Sequence, residues 1–420
     1  MARKVLISFI GTGPSTKPEK SLREYRTAKY KYGSKIRETT FVASALMEFL
    51  ECKTIFLFGT MKSMWEEVYR YYCERNKLEL DESYYFNIAE KCGEEASNQT
   101  SLTNVDFKII SESIANDSMA IPIPYGLDQS EIEKIFQIFT DILSDNLKDG
   151  DEIYLDITHS FRSLPIYAQT TISFLTDVLG RNISFKGIYY GMLEVNSELG
   201  YAPIVDLSYM LEIQKFTKGA YAFEYTGNAN LLYELLVKKN KTVSEKLKDF
   251  TQVISLNFIH DLKSQISVLT TLGDENDYEL PEKLIVPVAF KKFRNFFKNA
   301  TTLSDYQFLL AKWHYNKSAY ALSYLCLVES IISFSLERNN RTEDEVKNER
   351  KRDAEKGRMS KDLSEIYGPA NQFRKVIAHV TEEQQEIYKD GIRYNITPNN
   401  AIQNLKTYIN AFDKIRKNVD

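Results

Sequence analysis

The most informative group of polar side chains follows a short apolar segment in the first half of the chain. The segment Asp156–Pro165, with the sequence DITHSFRSLP, is predicted to turn from a buried strand into a helix. Backbone N–H groups at a helix N-terminus bind anions, and the hydroxyl of Thr158 adds a donor. Arg162 can pair with a phosphate, and His159 can donate to a phosphate or stack on a base. A helix N-cap with an exposed histidine and arginine would explain the same residues.

A second candidate loop follows the first predicted strand. Val5–Ile10 is a continuous apolar run that ends in Gly11, Thr12 and Gly13. Glycines let a phosphate approach the backbone, although a plain tight turn explains a lone Gly-Thr-Gly equally well. In a parallel sheet, ligands bind at the edge where the strands end. The sequence therefore predicts that this loop and the loop after Asp156 lie at one such edge.

Near the C-terminus, an arginine and a histidine are five positions apart. Arg374 and His379 stand in the helical sequence RKVIAH. An imidazole can act as general acid or base on the 2′-hydroxyl or the leaving 5′-oxygen of RNA, and a guanidinium can stabilise charge on the scissile phosphate. The bare spacing is weak evidence, because a surface arginine beside a half-buried histidine explains it as well.

Other polar residues of the second half fit structural roles better. His260 and His314 lie on predicted helices, where a lone histidine is more often a packing residue. Glu329 lies mid-helix among apolar residues, which predicts a structural hydrogen bond or ion pair. Basic and acidic residues alternate in the segment 341–361, so a solvated face fits it better than an RNA-binding surface. We find no paired carboxylates with the spacing of a metal-dependent nuclease near the C-terminus.

The elements of the first half alternate between strands and helices. Strands are predicted at Val5–Ile10, Thr54–Phe58, Ala120–Pro124, Ile153–Ile157 and Ile183–Tyr190, and helices at residues 36–51, 62–76, 128–147 and 162–179. Apolar strands that alternate with helices predict an α/β, Rossmann-like domain with a mostly parallel sheet covered on both faces.

The pattern changes to helices alone at about residue 207. Helical segments are predicted at residues 207–238, 242–270, 283–299, 303–338, 362–382 and 399–418, with no convincing strand among them. We therefore predict an α/β domain over residues 1–206, a helical linker region over 207–300 and an all-α domain over 301–420.

Composition limits the class of protein further. A chain of 420 residues is too long for one core, and its net charge of −4 argues against coating long stretches of nucleic acid. The four cysteines form no CxxC pair, which disfavours a zinc or redox motif. No run approaches the length of a membrane span, and the N-terminus lacks a signal-peptide core. We expect a cytoplasmic protein with reduced thiols and no membrane contact.

Several segments together resemble a known family. In the first half these are, in order, ISFIGTG, YRTAKYKYGSKIRETTFVASALMEFL, FLFGT, DITHSFRSLP, KGIYYGMLE and APIVDLSYMLEIQKFTKGAYAFEYTGNANLL. They resemble the sensor half, called the CARF (CRISPR-associated Rossmann fold) domain, of ancillary ribonucleases of type III CRISPR systems. Ala311–Glu337 resembles a signature helix of HEPN ribonucleases, and Arg374 and His379 follow it in the family's order. One departure is Lys375, where many relatives have asparagine.

The resemblance implies a ligand-gated enzyme in a homodimer or a higher oligomer. Two sensor domains would form one two-fold pocket for a cyclic oligoadenylate, most often cyclic tetra-adenylate, since a two-fold ring matches a two-fold interface. Carried onto this sequence, the binding residues are Gly11, Thr12, Gly13, Thr158, His159 and Arg162, with Thr60 and Ser63 as weaker candidates. Arg374 and His379 would cleave single-stranded RNA with no metal or cofactor, leaving 2′,3′-cyclic phosphate and 5′-hydroxyl ends.

Three hypotheses follow from these patterns. The leading one is an allosteric ribonuclease whose active arrangement binds the messenger more tightly. The second is a messenger-sensing regulator whose helical half binds RNA or a partner without cleaving it, which the presence of both Arg374 and His379 disfavours. The third is a dinucleotide-dependent enzyme, which the lack of a GxGxxG sequence with a following acidic residue disfavours.

Overall fold

Two compact units make up the protein, Met1–Leu211 and Glu212–Asp420. The computed structural model describes residues 2–13, 25, 27–114, 117–159, 161–256, 258, 263–267, 278–378, 386–389, 392–395 and 397–418. The division falls five residues after the predicted end of the α/β domain (211 against 206). The further division at residue 300 stays a prediction.

An eight-stranded sheet forms the centre of the first unit. Its strands are β1 (Lys4–Ile10), β2 (Ala28–Tyr32), β3 (Lys35–Thr39), β4 (Thr54–Gly59), β5 (Met119–Pro122), β6 (Glu152–Asp156), β7 (Ser184–Gly191) and β8 (Ala202–Asp206). Their order is β3-β2-β8-β7-β6-β1-β4-β5. The run from β7 to β5 is parallel throughout, whereas β8 pairs antiparallel with β7, and β3 with β2. The predicted mostly parallel α/β sheet is confirmed.

Helices cover both faces of this sheet. They are α1 (Val42–Leu50), α2 (Trp65–Asn76), α3 (Glu82–Ala89), α4 (Phe107–Ile114), α5 (Gln129–Asn146), α6 (Ser163–Asp177) and α7 (Asn196–Leu199), with a π-helical turn at Glu90–Glu94 and a 3-10 turn at Leu193–Val195. Side chains alternate along β1, so Val5, Ile7 and Phe9 join the core beneath α5 and α6. Leu6 and Ile10 join the core beneath the other helices.

The helix predicted over residues 36–51 is wrong in its first part. Lys35–Thr39 forms β3, which pairs with β2 through a turn at Gly33, where φ is +58°. Ile36, taken as part of an apolar helix face, is 61% exposed on this edge strand. Strand pairing with β2, which ends only two residues before β3 begins, outweighed the local helical periodicity. The strands β2 and β8 were not predicted either.

The second unit is built mainly of helices around one core. They are α8 (Tyr209–Thr226), which begins at the boundary, α9 (Asn230–Leu236), α10 (Lys241–Leu256), α11 (Glu282–Phe296), α12 (Leu303–Asn316), α13 (Tyr320–Arg338), α14 (Glu343–Lys347), α15 (Glu349–Lys356), α16 (Lys361–Ala378) and α17 (Pro398–Lys417). A single apolar cluster runs from Phe216 to Phe412 and joins residues of both predicted helical parts. The predicted helical architecture of this half is confirmed.

Three details of this half differ from the prediction. The segment 207–238 breaks at Gly227, whose φ is +77° and where an added Cβ would lie 1.8 Å from the Trp313 ring. The segment 303–338 is two helices separated by a turn in which Ser318 has a φ of +58°. Glu386–Lys389 and Ile392–Asn395 form a short antiparallel hairpin, so the expectation of no strand is wrong there.

The polar segment after α13 forms the helices α14 and α15, and these are docked on α13 rather than solvated on every side. Val346 and Glu355 are buried within it. By length and composition, α13 itself is apolar enough to cross a membrane, but 61% of its apolar window is buried inside the unit. Such burial is the ordinary situation of a core helix, and the prediction of no membrane contact stays a prediction.

Candidate functional site

A cavity of about 560 Å³ opens where β1, β4 and β6 end. These strands are parallel neighbours, so the loops after them meet at one edge of the sheet. The volume lies within the range of small-molecule sites, roughly 300–1,000 Å³. Its lining residues come from those loops, from β2 and its approach, and from the 3-10 turn and α7: Ile10, Gly11, Thr12, Gly13, Tyr25, Thr27, Ala28, Tyr30, Thr40, Thr60, Ser63, His159, Phe161, Leu164, Leu193 and Asn196.

The loop after β1 is held in place by its neighbours. The carbonyl of Gly11 accepts hydrogen bonds from the Tyr25 hydroxyl at 2.8 Å and from the Met64 N–H at 3.1 Å. Gly13 has a φ of +74°, and a Cβ there would lie 2.2 Å from the Met64 sulfur. Glycine is therefore favoured at this position by the backbone conformation, and any other residue would displace the Met64 side chain.

The loop after β4 ties this strand end to β1. The Ser63 hydroxyl donates to the Ile10 carbonyl at 2.9 Å, and the indole N–H of Trp65 donates to the Thr60 carbonyl at 2.8 Å. Thr60 and Ser63 are both almost fully buried, yet both line the cavity. Their packing fixes the shape of the wall, and their hydroxyls lie 3.4 Å apart.

The loop after β6 is organised by the fully buried carboxyl of Asp156. It accepts hydrogen bonds from the Ser8 hydroxyl at 2.6 Å, from the Thr158 hydroxyl at 2.6 Å and from the Thr158 N–H at 2.9 Å. The Thr158 hydroxyl also accepts from the Gly191 N–H at 2.8 Å. This network joins β1, β6 and β7, and it occupies the threonine that was predicted to bind ligand.

His159 stands beside this network and lines the cavity. Its Nε2 is buried and has no hydrogen-bond partner among the described residues. Burial lowers the pKa of the imidazole, against the opposing effect of the Asp156 carboxylate. Burial also raises the pKa of Asp156, although its three donors and His159 act the other way. His159 is therefore neutral near pH 7, with one ring nitrogen able to donate and the other able to accept.

The structure brings six of the eight predicted sensor residues to one cavity: Gly11, Thr12, Gly13, Thr60, Ser63 and His159. Thr158 and Arg162 are not among its lining residues; Arg162 is exposed just before α6. Several lining residues escaped the prediction, notably the aromatic Tyr25, Tyr30 and Phe161. Phe161 lies within the DITHSFRSLP motif, and the two tyrosines lie in YRTAKY. Both segments were among those that resemble the sensor family, so the sequence did indicate these positions.

In the helical unit, the predicted catalytic Arg374 lies on α16 and its side chain is 35% exposed. Its Nη1 lies 3.6 Å from Oε1 of Glu329 on α13. The other oxygen of Glu329 accepts from Arg352 Nη2 at 2.6 Å. The prediction of a structural ion pair at Glu329 is confirmed. His379 and His260 lie outside the described residues, so the Arg374–His379 geometry stays a prediction.

His314 is a buried core residue of α12. Burial lowers the pKa of its imidazole to about 4, and its Nε2 has no hydrogen-bond partner in the described part of the chain. Its predicted packing role agrees with its place beside Trp313, at a ring separation of 5.2 Å. Within the described ranges, no three His, Cys, Asp or Glu side chains are grouped to hold a metal ion.

The first unit is an α/β domain with a cavity of polar and aromatic residues at its strand ends. The second unit is helical, so the protein belongs to the class of chains that join an α/β domain to a helical one. Residues 5–194 match the family described as "CRISPR system endoribonuclease Csx1, CARF domain". Residues 212–305 match that described as "CRISPR-associated protein MJ1674, second domain". The first unit is therefore similar to the CARF domain of Csx1, and the start of the second unit is similar to the second domain of MJ1674.

One curated relative is the CRISPR-associated protein MJ1674 of Methanocaldococcus jannaschii, which is 36% identical over 342 residues. The match covers 78% of this chain and 53% of that protein, so the chain spans about half the length of this relative. Among solved structures, Enterococcus italicus Csm6 bound to cyclic hexa-2'-fluoro-hexa-dAMP aligns with 98% of this chain and 93% of that one, at 12% identity. Its TM-score of 0.38 is a weak likeness, from which nothing is inferred.

Proposed function

We propose that the protein is a cytoplasmic endoribonuclease that a cyclic oligoadenylate activates. The first unit binds the ring, with cyclic tetra-adenylate the expected form, across a homodimer. The second unit cleaves single-stranded RNA by the HEPN mechanism, without a metal. Arg374 stabilises charge on the phosphate and His379 moves the proton of the 2′-hydroxyl or the leaving oxygen. The products carry 2′,3′-cyclic phosphate and 5′-hydroxyl ends.

The observation that carries the proposal is the cavity at the strand ends of the CARF domain. Glycines allow a phosphate to approach the backbone, and the Thr12 side chain is exposed beside them. His159, whose Nε2 is buried, lines the cavity together with the aromatic side chains of Tyr25 and Phe161. Accessible backbone, polar side chains and aromatic rings are the partners that the phosphates, riboses and adenine rings of such a ligand need.

The nuclease half rests on the family relationship and on the residue types. The sensor domain matches that of an endoribonuclease family, and a pure RNA-binding regulator needs no histidine at position 379. RNA carries its own nucleophile, so an arginine and a histidine suffice for transesterification. DNA lacks the 2′-hydroxyl and is not a substrate under this proposal.

The experiment is cleavage of a fluorescent single-stranded RNA in EDTA, with and without cyclic tetra-adenylate. The wild type is expected to cleave only with the ring. The double variant Arg374→Ala, His379→Ala is expected to lose about 10³-fold or more of the rate, because the two groups act in one step. His159→Ala is expected to require a higher ring concentration for activation, because it removes a polar group from the cavity.

Lys375→Ala is the matched control for the catalytic pair. Lys375 is exposed, carries the same charge as Arg374 and is its neighbour on α16, so its loss should leave most of the rate. Cleavage that survives the double substitution would place the active site elsewhere. Proven binding of four- or six-membered rings without any cleavage would favour the non-catalytic regulator.

A further inference from the structure

The two carboxylate oxygens of Glu329 contact two arginines that differ in burial. Oε2 accepts a hydrogen bond from Arg352 at 2.6 Å, and Oε1 lies 3.6 Å from Nη1 of Arg374. Glu329 is 29% exposed and Arg352 only 14%, whereas Arg374 is 35% exposed. The pair with Arg352 is therefore the more buried of the two, and the pair with Arg374 is the more exposed.

Arg352 is fully committed to the fold. Its Nη1 donates to the Ser333 hydroxyl at 2.8 Å and to the Val346 carbonyl at 2.9 Å. Its Nη2 donates to the backbone carbonyl of Glu329 at 3.1 Å as well as to the carboxylate. These bonds fix α15 against α13, and they fix the Glu329 carboxylate in one orientation.

The contact with Arg374 is longer and more exposed. The two side chains are 35% and 29% exposed at a separation of 3.6 Å, so part of the Arg374 guanidinium stays open to a further partner while it is paired. A guanidinium has five donors, so Arg374 can turn others towards a phosphate while the Glu329 carboxylate holds one side of the group. A positioned charge is more effective in catalysis than a freely rotating one.

We propose that Glu329 is a positioning residue that orients Arg374 for the scissile phosphate, with Arg352 as its anchor. This inference rests on the proposed ribonuclease function. The sequence alone predicts a structural role for the Glu329 carboxylate, and this inference adds a role in catalysis. It also gives a role to the docking of α15 on α13, because α15 supplies the arginine that holds the glutamate.

The test is steady-state RNA cleavage by the full-length protein at saturating cyclic tetra-adenylate. Glu329→Gln keeps the size of the side chain and removes its charge. It is expected to lower kcat by about 10- to 100-fold, with a change in KM of less than about threefold. Glu329→Asp, which keeps the carboxylate, is expected to recover part of the loss.

The matched control is Glu355→Gln. Glu355 lies on α15, the helix of Arg352, and it also docks this helix on α13. Its carboxylate accepts hydrogen bonds from the Ser335 hydroxyl at 2.6 Å and from the Asn339 amide at 3.0 Å. No contact joins it to Arg374 among the described residues, so this variant is expected to keep kcat. Equal losses in the two variants would show that docking alone matters and would overturn the positioning role.

A second comparison separates this inference from the proposed function. In an Arg374→Lys background, Glu329→Gln should cause little further loss, because its effect runs through the arginine. Unchanged kcat in Glu329→Gln, with Arg374→Ala inactive, would overturn the inference and leave the proposed function intact. Wild-type protein that binds the ring without cleaving RNA, or an Arg374→Ala variant that stays active, would overturn both.

Discussion

Neighbouring residues of the DITHSFRSLP motif have different tasks. Thr158 directs its hydroxyl to Asp156 and to the Gly191 N–H, so it joins β6 to β7. His159 lines the cavity, and its buried Nε2 has no hydrogen-bond partner in the part of the chain that the structure describes. Arg162 is exposed just before α6. Adjacent polar residues therefore divide into one that builds the loop, one that faces the ligand space and one that is available at the surface.

The second buried histidine predicts a pH dependence of stability. The pKa of His314 falls from an ordinary value near 6.5 to about 4 on folding, because burial disfavours its charged form. The unfolded chain therefore binds a proton that the folded chain does not, between those two values. The contribution of His314 to the free energy of unfolding is on the order of 3 kcal/mol. It is fully present above about pH 6.5 and is lost as the pH falls towards 4.

Urea unfolding, followed by tryptophan fluorescence, measures this effect. The wild type and His314→Leu are compared at about pH 7 and about pH 4.5, and the difference between the two proteins isolates one group from the carboxyls that titrate in both. The variant should lose less unfolding free energy on acidification. An identical loss in both proteins would contradict the low pKa of His314.

The loops at the sheet edge act as a set, because each is tied to its neighbour. The Ser63 hydroxyl joins the loop after β4 to the Ile10 carbonyl, and the Met64 N–H donates to the Gly11 carbonyl. The loop after β1 therefore keeps its shape only while the loop after β4 is packed against it. A substitution in one loop is therefore expected to alter ligand binding by shifting the neighbouring loop.

Gly13→Ala tests this coupling. A Cβ at Gly13 would meet the Met64 sulfur at 2.2 Å, and the φ of +74° adds about 1–2 kcal/mol of strain. We expect cyclic tetra-adenylate to bind about tenfold more weakly or worse, as measured by calorimetry. Gly33→Ala is the control, because its φ of +58° brings similar strain but a Cβ there meets nothing within 4 Å. Equal weakening in both variants would exclude the clash as the cause.

At the scale of the whole molecule, each unit has cores of its own. The first unit has one apolar cluster on each face of its sheet, and the second has a cluster that runs from Phe216 to Phe412. A ligand of the first unit is therefore expected to stabilise that unit directly. The net charge of −4 is consistent with RNA being met at a local site rather than along the surface.

Thermal unfolding measures ligand binding without any cleavage. A ring present at about 100 times its dissociation constant stabilises the folded protein by about 2.7 kcal/mol, which raises the unfolding midpoint of a unit of this size by about 5–10 °C. The Arg374→Ala, His379→Ala variant should show the same rise, since its cavity is unchanged. A linear tetra-adenylate is the control ligand. No rise with the cyclic form would contradict sensing by the first unit.

Local patterns in the chain were enough to predict the parallel strands, their helices and the two loops at the sheet edge. Apolar runs and helical periodicity are properties of neighbouring residues, and the order of parallel strands brings loops such as those of Gly11 and His159 together. Tertiary structure alone decided the β2–β3 hairpin, the hydrogen bonding of Thr158 in the Asp156 network and the meeting of Arg352, Glu329 and Arg374. The last two join residues far apart in the chain, and the hairpin depends on cross-strand pairs; local periodicity contains none of these energies.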